Sequence, residues 1–192
     1  MVATLATLAA SVAGGLPLGP LDSPTSGHSA AVGAAALSSD EEASSQAITS
    51  ESGPFHPVRV SEQIDYGDAG AVFGAARYGH AHEGQDIFAA SGTPLIAVRD
   101  GVVIREGNDG GRGNYVAIYS EPDDQTHVYL HMLHRTPLAP GEQVAAGTQV
   151  GTMGCTGSCY GTHLHFEVRV GKGINRKPID PLPLLKRWPQ AP

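Results

Sequence analysis

Positive charge is missing from the first 58 residues of this 192-residue chain: Lys and Arg begin only at Arg59, whereas Asp22, Asp40, Glu41, Glu42 and Glu51 all come earlier. Those acids carry most of the formal −7, leaving the remainder almost balanced. With no basic field to release counterions, a nucleic-acid partner is not expected. Long apolar runs are lacking too. The best of them, MVATLATLAASVAGGLPLGP at the start, is too short to span a bilayer, so no stable membrane insertion is expected. Aromatics make up 6% and only two cysteines occur, and no window of ten or more residues carries a helical apolar stripe apart from a short piece near PLLKRW. A helical bundle is therefore excluded.

What is abundant points to strands. The 25 glycines and 14 prolines, with 41% hydrophobic residues, suit short strands and frequent turns around one core. Residues 1–52 read separately. The opening run resembles the hydrophobic part of a secretory signal, with Ser11 and Ala13 spaced like a cleavage site, but it lacks the usual basic residues before it. LSSDEEASSQAITSES then has no periodicity and too little apolar surface to offset its ordering entropy, so a disordered linker is expected. The domain is placed at 53–188, with 189–192 as a tail. Within it, TPLIAVRDGVVIRE predicts a hairpin about Asp100-Gly101, GNYVAIYS and THVYLHML predict further strands, and HLHFEVRV is the longest clean one. The expected fold is mainly β, a compact antiparallel sandwich or barrel with a groove.

Nine histidines is a high count for this length. In GTHLHFEV, His163 and His165 are two apart and share a strand face. In HEGQD, His82 and Asp86 are four apart, with Gly84 between them to permit an unusual turn. An imidazole and a carboxylate are donors that zinc accepts. His80 offers an alternative to His82. His131 lies in YLHM, and His127, four residues earlier, is expected on the same face. His28 and His56 read as inert, and His134 flanks the strand.

Taken in order, HEGQD, YLHM and GTHLHFEV resemble the motifs of the lysostaphin/LytM-type zinc metallopeptidases, which are bacterial cell-wall endopeptidases. The likeness extends through GTPLIAVRDGVV, GRGNYVAIYS, PGEQVAAGTQVG and IDPLPLL. It implies a small β-sheet enzyme built around a groove, with one zinc ion held by His82, Asp86 and His165. It further implies that His131 and His163 are unligated histidines of the active site, acting on peptidoglycan peptides in an exported protein, secreted or wall-associated. One departure is the YLHM segment, where the family more often has Ala and Leu around that histidine; both replacements are apolar and preserve the strand. His80 has no counterpart in the motif. Asn114, Tyr129 and Tyr160 are candidate groove residues.

Cys155 and Cys159 allow two readings. With His163 and His165 they could form a closed structural zinc site, but the ligands would crowd into eleven residues and leave His82, Asp86 and His131 without a role. In an exported protein they would instead pair as a disulfide. A different class of function also fits the resemblance: a catalytically silent module that binds the wall or activates another hydrolase. Such modules have usually lost metal ligands, whereas all five expected residues are present here.

Overall fold

The computed structural model describes residues 53–192. The signal-like run, the acidic linker and His28 lie outside the described residues. Eleven strands and one short helix follow in order: β1 (Ala76–Arg77), β2 (His80–Ala81), β3 (Gln85–Phe88), β4 (Pro94–Ile96), β5 (Gly101–Asp109), β6 (Gly113–Ser120), β7 (Gln125–Met132), β8 (Gln143–Val144), β9 (Gln149–Thr152), β10 (His163–Val170), β11 (Pro178–Ile179) and α1 (Leu182–Leu185). Every pairing is antiparallel. The main sheet runs β11-β10-β7-β6-β5-β8, with β3 also on β10, and the ribbons β1-β2 and β4-β9 stand apart from it. The mainly β expectation holds, and the only helix among the described residues falls in the PLLKRW piece.

Strand β10 shows why the sheet folds this way. Leu164, Phe166 and Val168 point to one side and join Val58, Ile87, Val103, Val116, Ile118, Tyr129, Met132, Met153 and Leu185 in the principal core. Each large apolar side chain wholly removed from water contributes about 1.5–3 kcal/mol. The alternate residues His163, His165, Glu167 and Arg169 point to the opposite side. They too are buried. A smaller apolar cluster of Tyr115, Ala117, Val128, Leu130 and Ile174 lies on this second side.

The Asp100-Gly101 hairpin does not form. β4 pairs with β9, and β5 pairs with β6 and β8, so the dipeptide is a crossing between sheets. Gly101 has no left-handed φ, which a two-residue hairpin turn of this kind requires. It is needed for close approach, since a Cβ there would stand 2.5 Å from the Tyr119 carbonyl oxygen. Asp100 instead accepts the Ala146 backbone N–H at 2.7 Å. At the chain end, the expected tail bonds to the domain entry: His56 N–H donates to Pro189 O (2.7 Å) and Val60 N–H to Gln190 Oε1 (3.2 Å).

Candidate metal centre and groove

Asp86 on β3 stands directly opposite His165 on β10, and both side chains rise on the second face of the sheet. His82, from the segment just before β3, completes the group. Asp86 Oδ1 lies 2.9 Å from His165 Nδ1 and 3.0 Å from His82 Nε2, and the two ring nitrogens are 2.8 Å apart. The outer nitrogens define the tautomers. His82 Nδ1–H donates to Val72 O at 2.8 Å, and His165 Nε2–H donates to Glu167 Oε1 at 3.2 Å. With those protons directed outward, the inner nitrogens face each other and a carboxylate oxygen, and each carries a lone pair whenever its ring is neutral. Three lone-pair donors facing one point suit a cation, and their separations approach the roughly 3.3 Å edge of a tetrahedron with zinc-like bonds. His82, Asp86 and His165 could thus hold a metal ion.

Electrostatics point the same way. Burial resists charge on His165, but hydrogen bonds to Asp86 and Glu167 outweigh it and raise its pKa. Burial also resists charge on Asp86, yet the bonds to His165 and His82 hold it below the ordinary carboxylate range. The cluster favours a positive charge at its centre.

The neighbouring imidazoles are oriented by main-chain carbonyls. His163 Nδ1–H donates to Gly161 O (2.7 Å), and its Nε2 lies 3.6 Å from Asp86 Oδ1. His131 Nδ1–H donates to Thr156 O (2.8 Å), and its ring centre is 5.0 Å from that of His163. Burial, outweighing the Thr156 carbonyl, pushes the His131 pKa down to about 4, so this ring is neutral and able to accept a proton.

His131 reaches the site through an irregularity. Along β7, Tyr129 and His127 face the core while Val128 and Leu130 face the groove, so strict alternation would turn His131 inward. Its φ of 61° and the β6–β7 register break between Asn114 and Val116 turn the ring outward beside Leu130. A non-glycine residue in this region is strained and must be held by its surroundings. The loop between Cys155 and Cys159, which are joined as a disulfide, does this through Thr156. The disulfide leaves no thiolate for a structural zinc site.

Several expectations need correction. His127 does not share a face with His131; it is buried, stacked on Phe166 and edge-on to Trp188. Tyr129 is no groove residue, because its ring is wholly buried and its hydroxyl accepts the Val98 N–H (3.1 Å). Asn114 is buried as well. Its Nδ2 donates to Met132 O and Leu133 O, bracing the end of β7 behind His131. Tyr160 does line the groove and is fully exposed. His80 sits at the rim without joining the cluster, His134 is exposed, and His56 is a buried structural group bonded to Val58 and Tyr66. Gly84 has no left-handed φ; it is required by the approach of β10, as a Cβ would stand 2.5 Å from Phe166 O.

The groove has a volume of about 820 Å³. Among the lining residues that the sequence reading did not single out, Arg77, Glu167 and Arg169 bear directly on the cluster. Arg77 on β1 contacts Asp86 Oδ2 at 3.3 Å. Behind His165, Arg169 bonds both Glu167 and Glu83 at 2.6 Å, tying the HEGQD segment to β10. Period-two alternation from His165 would have found Glu167 and Arg169; nothing in the sequence marks Arg77.

Residues 80–181 match the description Peptidase family M23. The chain is 43% identical over 98 residues to the peptidoglycan DD-endopeptidase ShyC of Vibrio cholerae, covering 51% of this chain and 22% of that protein. It is 33% identical over 109 residues to lysostaphin of Staphylococcus simulans, covering 56% of this chain and 22% of that protein. The crystallised catalytic domain of that lysostaphin superposes with a TM-score of 0.55 at 30% identity, over 65% of this chain and 92% of the domain. The aligned part thus spans about a fifth of the curated relatives' length, yet all of one solved catalytic unit within about a tenth. Because the matched segment covers more than half of the chain and contains each of the five converging residues, the chain belongs to peptidase family M23.

Proposed function

We propose that this domain is a zinc-dependent endopeptidase that hydrolyses peptide bonds in the stem peptides or cross-bridges of peptidoglycan, outside the cytoplasm, in an exported or wall-associated protein. The observation that carries this reading is the convergence of three lone-pair donors, with two further oriented imidazoles at the edge of an open groove. The His–Asp–His donor set, two nitrogens and one oxygen, fits zinc. Three protein ligands also match the pattern that leaves one position open for chemistry. Zinc, when bound, supplies Lewis acidity: it polarises a carbonyl and lowers the pKa of water to about 7.

The chain's own residues do the rest. His131 and His163 each have one N–H anchored on a carbonyl and the other nitrogen left for the reaction. A neutral imidazole accepts the proton of the attacking water at its free nitrogen, and an imidazole protonated at that nitrogen donates a hydrogen bond to the oxygen on which charge develops. Glu167 and Arg169 hold His165 in its ring orientation. The peptidoglycan substrate rests on the activities named for the relatives, and the completeness of the five-residue set favours an enzyme over a silent binding module.

The test is release of new amino groups from purified peptidoglycan by the chain, its chelator-treated form, and the His163→Ala and Asp86→Ala variants. His163→Ala should keep zinc and lose at least about 100-fold in turnover, whereas Asp86→Ala should lose both. No release by folded, zinc-loaded protein on several wall types would move the assignment to a binding module. Unchanged zinc affinity in Asp86→Ala would remove that residue from the ligand set.

A further inference from the structure

A second cavity, of about 530 Å³, opens on the main sheet and is lined by Ile104, Arg105, Lys172, Gly173, Ile174, Asn175 and Arg176. Ile104 and Ile174 belong to the apolar cluster that contains Leu130, and Leu130 in turn lines the groove, so the two cavities share one face of the sheet. The lining has three cationic side chains and no acid, in a chain whose formal net charge is −7.

These cations are not consumed by ion pairs. Arg105 Nε donates to the Tyr115 hydroxyl (3.1 Å), Arg176 Nε donates to Lys172 O (3.2 Å), and Lys172 Nζ lies over the Tyr119 ring at 5.5 Å. Among the described residues none of the three forms a salt bridge, whereas Arg77, Arg99, Arg112, Arg135 and Arg169 all do.

The frame that presents them is built by specific features. Register in β5–β6 shifts between Val103 and Arg105, which sets Arg105 opposite Ala117 on the groove face. Regular alternation from the core residue Val103 would have turned Arg105 into the core; the bulge re-aims it outward beside Ile104. The loop 171–177 is pinned from beneath. The buried Thr126 hydroxyl donates to Gly171 O (2.7 Å) and accepts the Gly173 N–H (3.0 Å), and Arg169 donates to Arg176 O at 2.8 Å. Two cations on a loop with a pinned backbone and a third from a bulged strand therefore line one cavity with an apolar floor, so the backbone that carries them needs little further ordering.

The geometry points to an anion-binding exosite, formed by Arg105, Lys172 and Arg176, for carboxylate or phosphate groups of a wall polymer whose peptide part lies in the groove. Three cationic donors facing one concavity match such oxygens. That the anion belongs to the wall rests on the peptidase reading; that the site binds anions does not. Two sources share this chemistry, the carboxylates of peptidoglycan itself and phosphodiester polymers attached to it.

Binding of the full chain to purified wall sacculi, by co-sedimentation with chelator present so that turnover plays no part, separates the outcomes. Arg105→Gln/Lys172→Gln/Arg176→Gln should bind about tenfold more weakly than wild type, and the difference should shrink at high ionic strength. A control with the same charge change, Arg59→Gln/Lys186→Gln/Arg187→Gln, should lose far less. Lys172→Gln alone, at an exposed side chain that lies over the Tyr119 ring, gives a smaller loss in the same direction without risk to the fold. Walls stripped of phosphodiester polymer by hydrofluoric acid identify the source: retained binding assigns carboxylates, lost binding assigns phosphodiesters. Equal binding by the two triple variants, or none by wild type to either wall, would overturn the exosite. The peptidase reading fails separately, through absent turnover in zinc-loaded protein.

Discussion

Replacing Gly84 by Ala adds one methyl group at the most crowded approach to the cluster. The new Cβ would stand 2.5 Å from Phe166 O, 2.7 Å from His165 Nε2 and 2.9 Å from His165 Cε1. Ordinary contact begins near 3.4 Å, so the shortfall against the β10 backbone is about 0.9 Å. Neither neighbour yields readily, since Phe166 is a core residue of β10 and the His165 ring is held through Glu167. The segment carrying His82 and Asp86 must retreat instead, opening contacts that now measure 2.8–3.0 Å. Because Gly84 lies outside the left-handed φ region, Ala meets no backbone penalty there and the contact alone is tested. Overpacking of this kind costs about 1–3 kcal/mol of stability. Displaced ligands should weaken zinc affinity about 10- to 100-fold, the range seen when the support of a metal ligand is disturbed. Competition with a chromophoric chelator reads the affinity, and thermal unfolding of the metal-free protein reads the stability. Wild-type values of both in Gly84→Ala would refute the close-approach argument.

Further outcomes follow from other contacts. Glu167→Gln removes the carboxylate that orients His165 and leaves buried Arg169 short of a partner, so zinc affinity should fall about 10-fold or more; titration showing no change would remove Glu167 from that role. His127 is buried with its pKa lowered to about 4 by burial, so between pH 6.5 and 4 the unfolded chain binds a proton that the folded chain refuses. Its contribution should cost stability as pH falls through that window, on the order of 3 kcal/mol in total, and should be absent at neutral pH. His127→Phe, which keeps the ring stack, should flatten the acid limb of a pH-stability curve relative to wild type, and parallel curves would contradict this. Opening the Cys155–Cys159 bond as the double Ser variant should lower stability by about 2 kcal/mol. It should also reduce turnover more than zinc affinity, because Thr156 in that loop orients His131 but no metal donor lies in it; equal loss of both would show that the loop supports the metal centre instead.

The sequence by itself determined the strand-rich fold and the shared face of His163 and His165 on β10, which depend on local periodicity; the set of five converging residues came from the resemblance of its motifs to a known family. HLHFEVRV alternates without interruption, so His163 and His165 had to share a face. His131 was legible only through the motif resemblance. Its parity argument failed because alternation assumes a regular strand, and a left-handed residue beside a register break turned the ring to the other side. Asp100-Gly101 misled for a related reason: a local turn signal cannot tell a hairpin from a crossing between sheets, which depends on where β8 and β9 find partners. Tyr129 and Asn114 looked like groove residues because polar atoms are visible in a sequence while burial and hydrogen-bond partners are not. Only tertiary structure brought Arg77 to Asp86, Thr156 to His131, and Arg105 beside Lys172 and Arg176. Each of those contacts joins segments distant in the chain or an irregular strand position, and neither leaves a periodic trace.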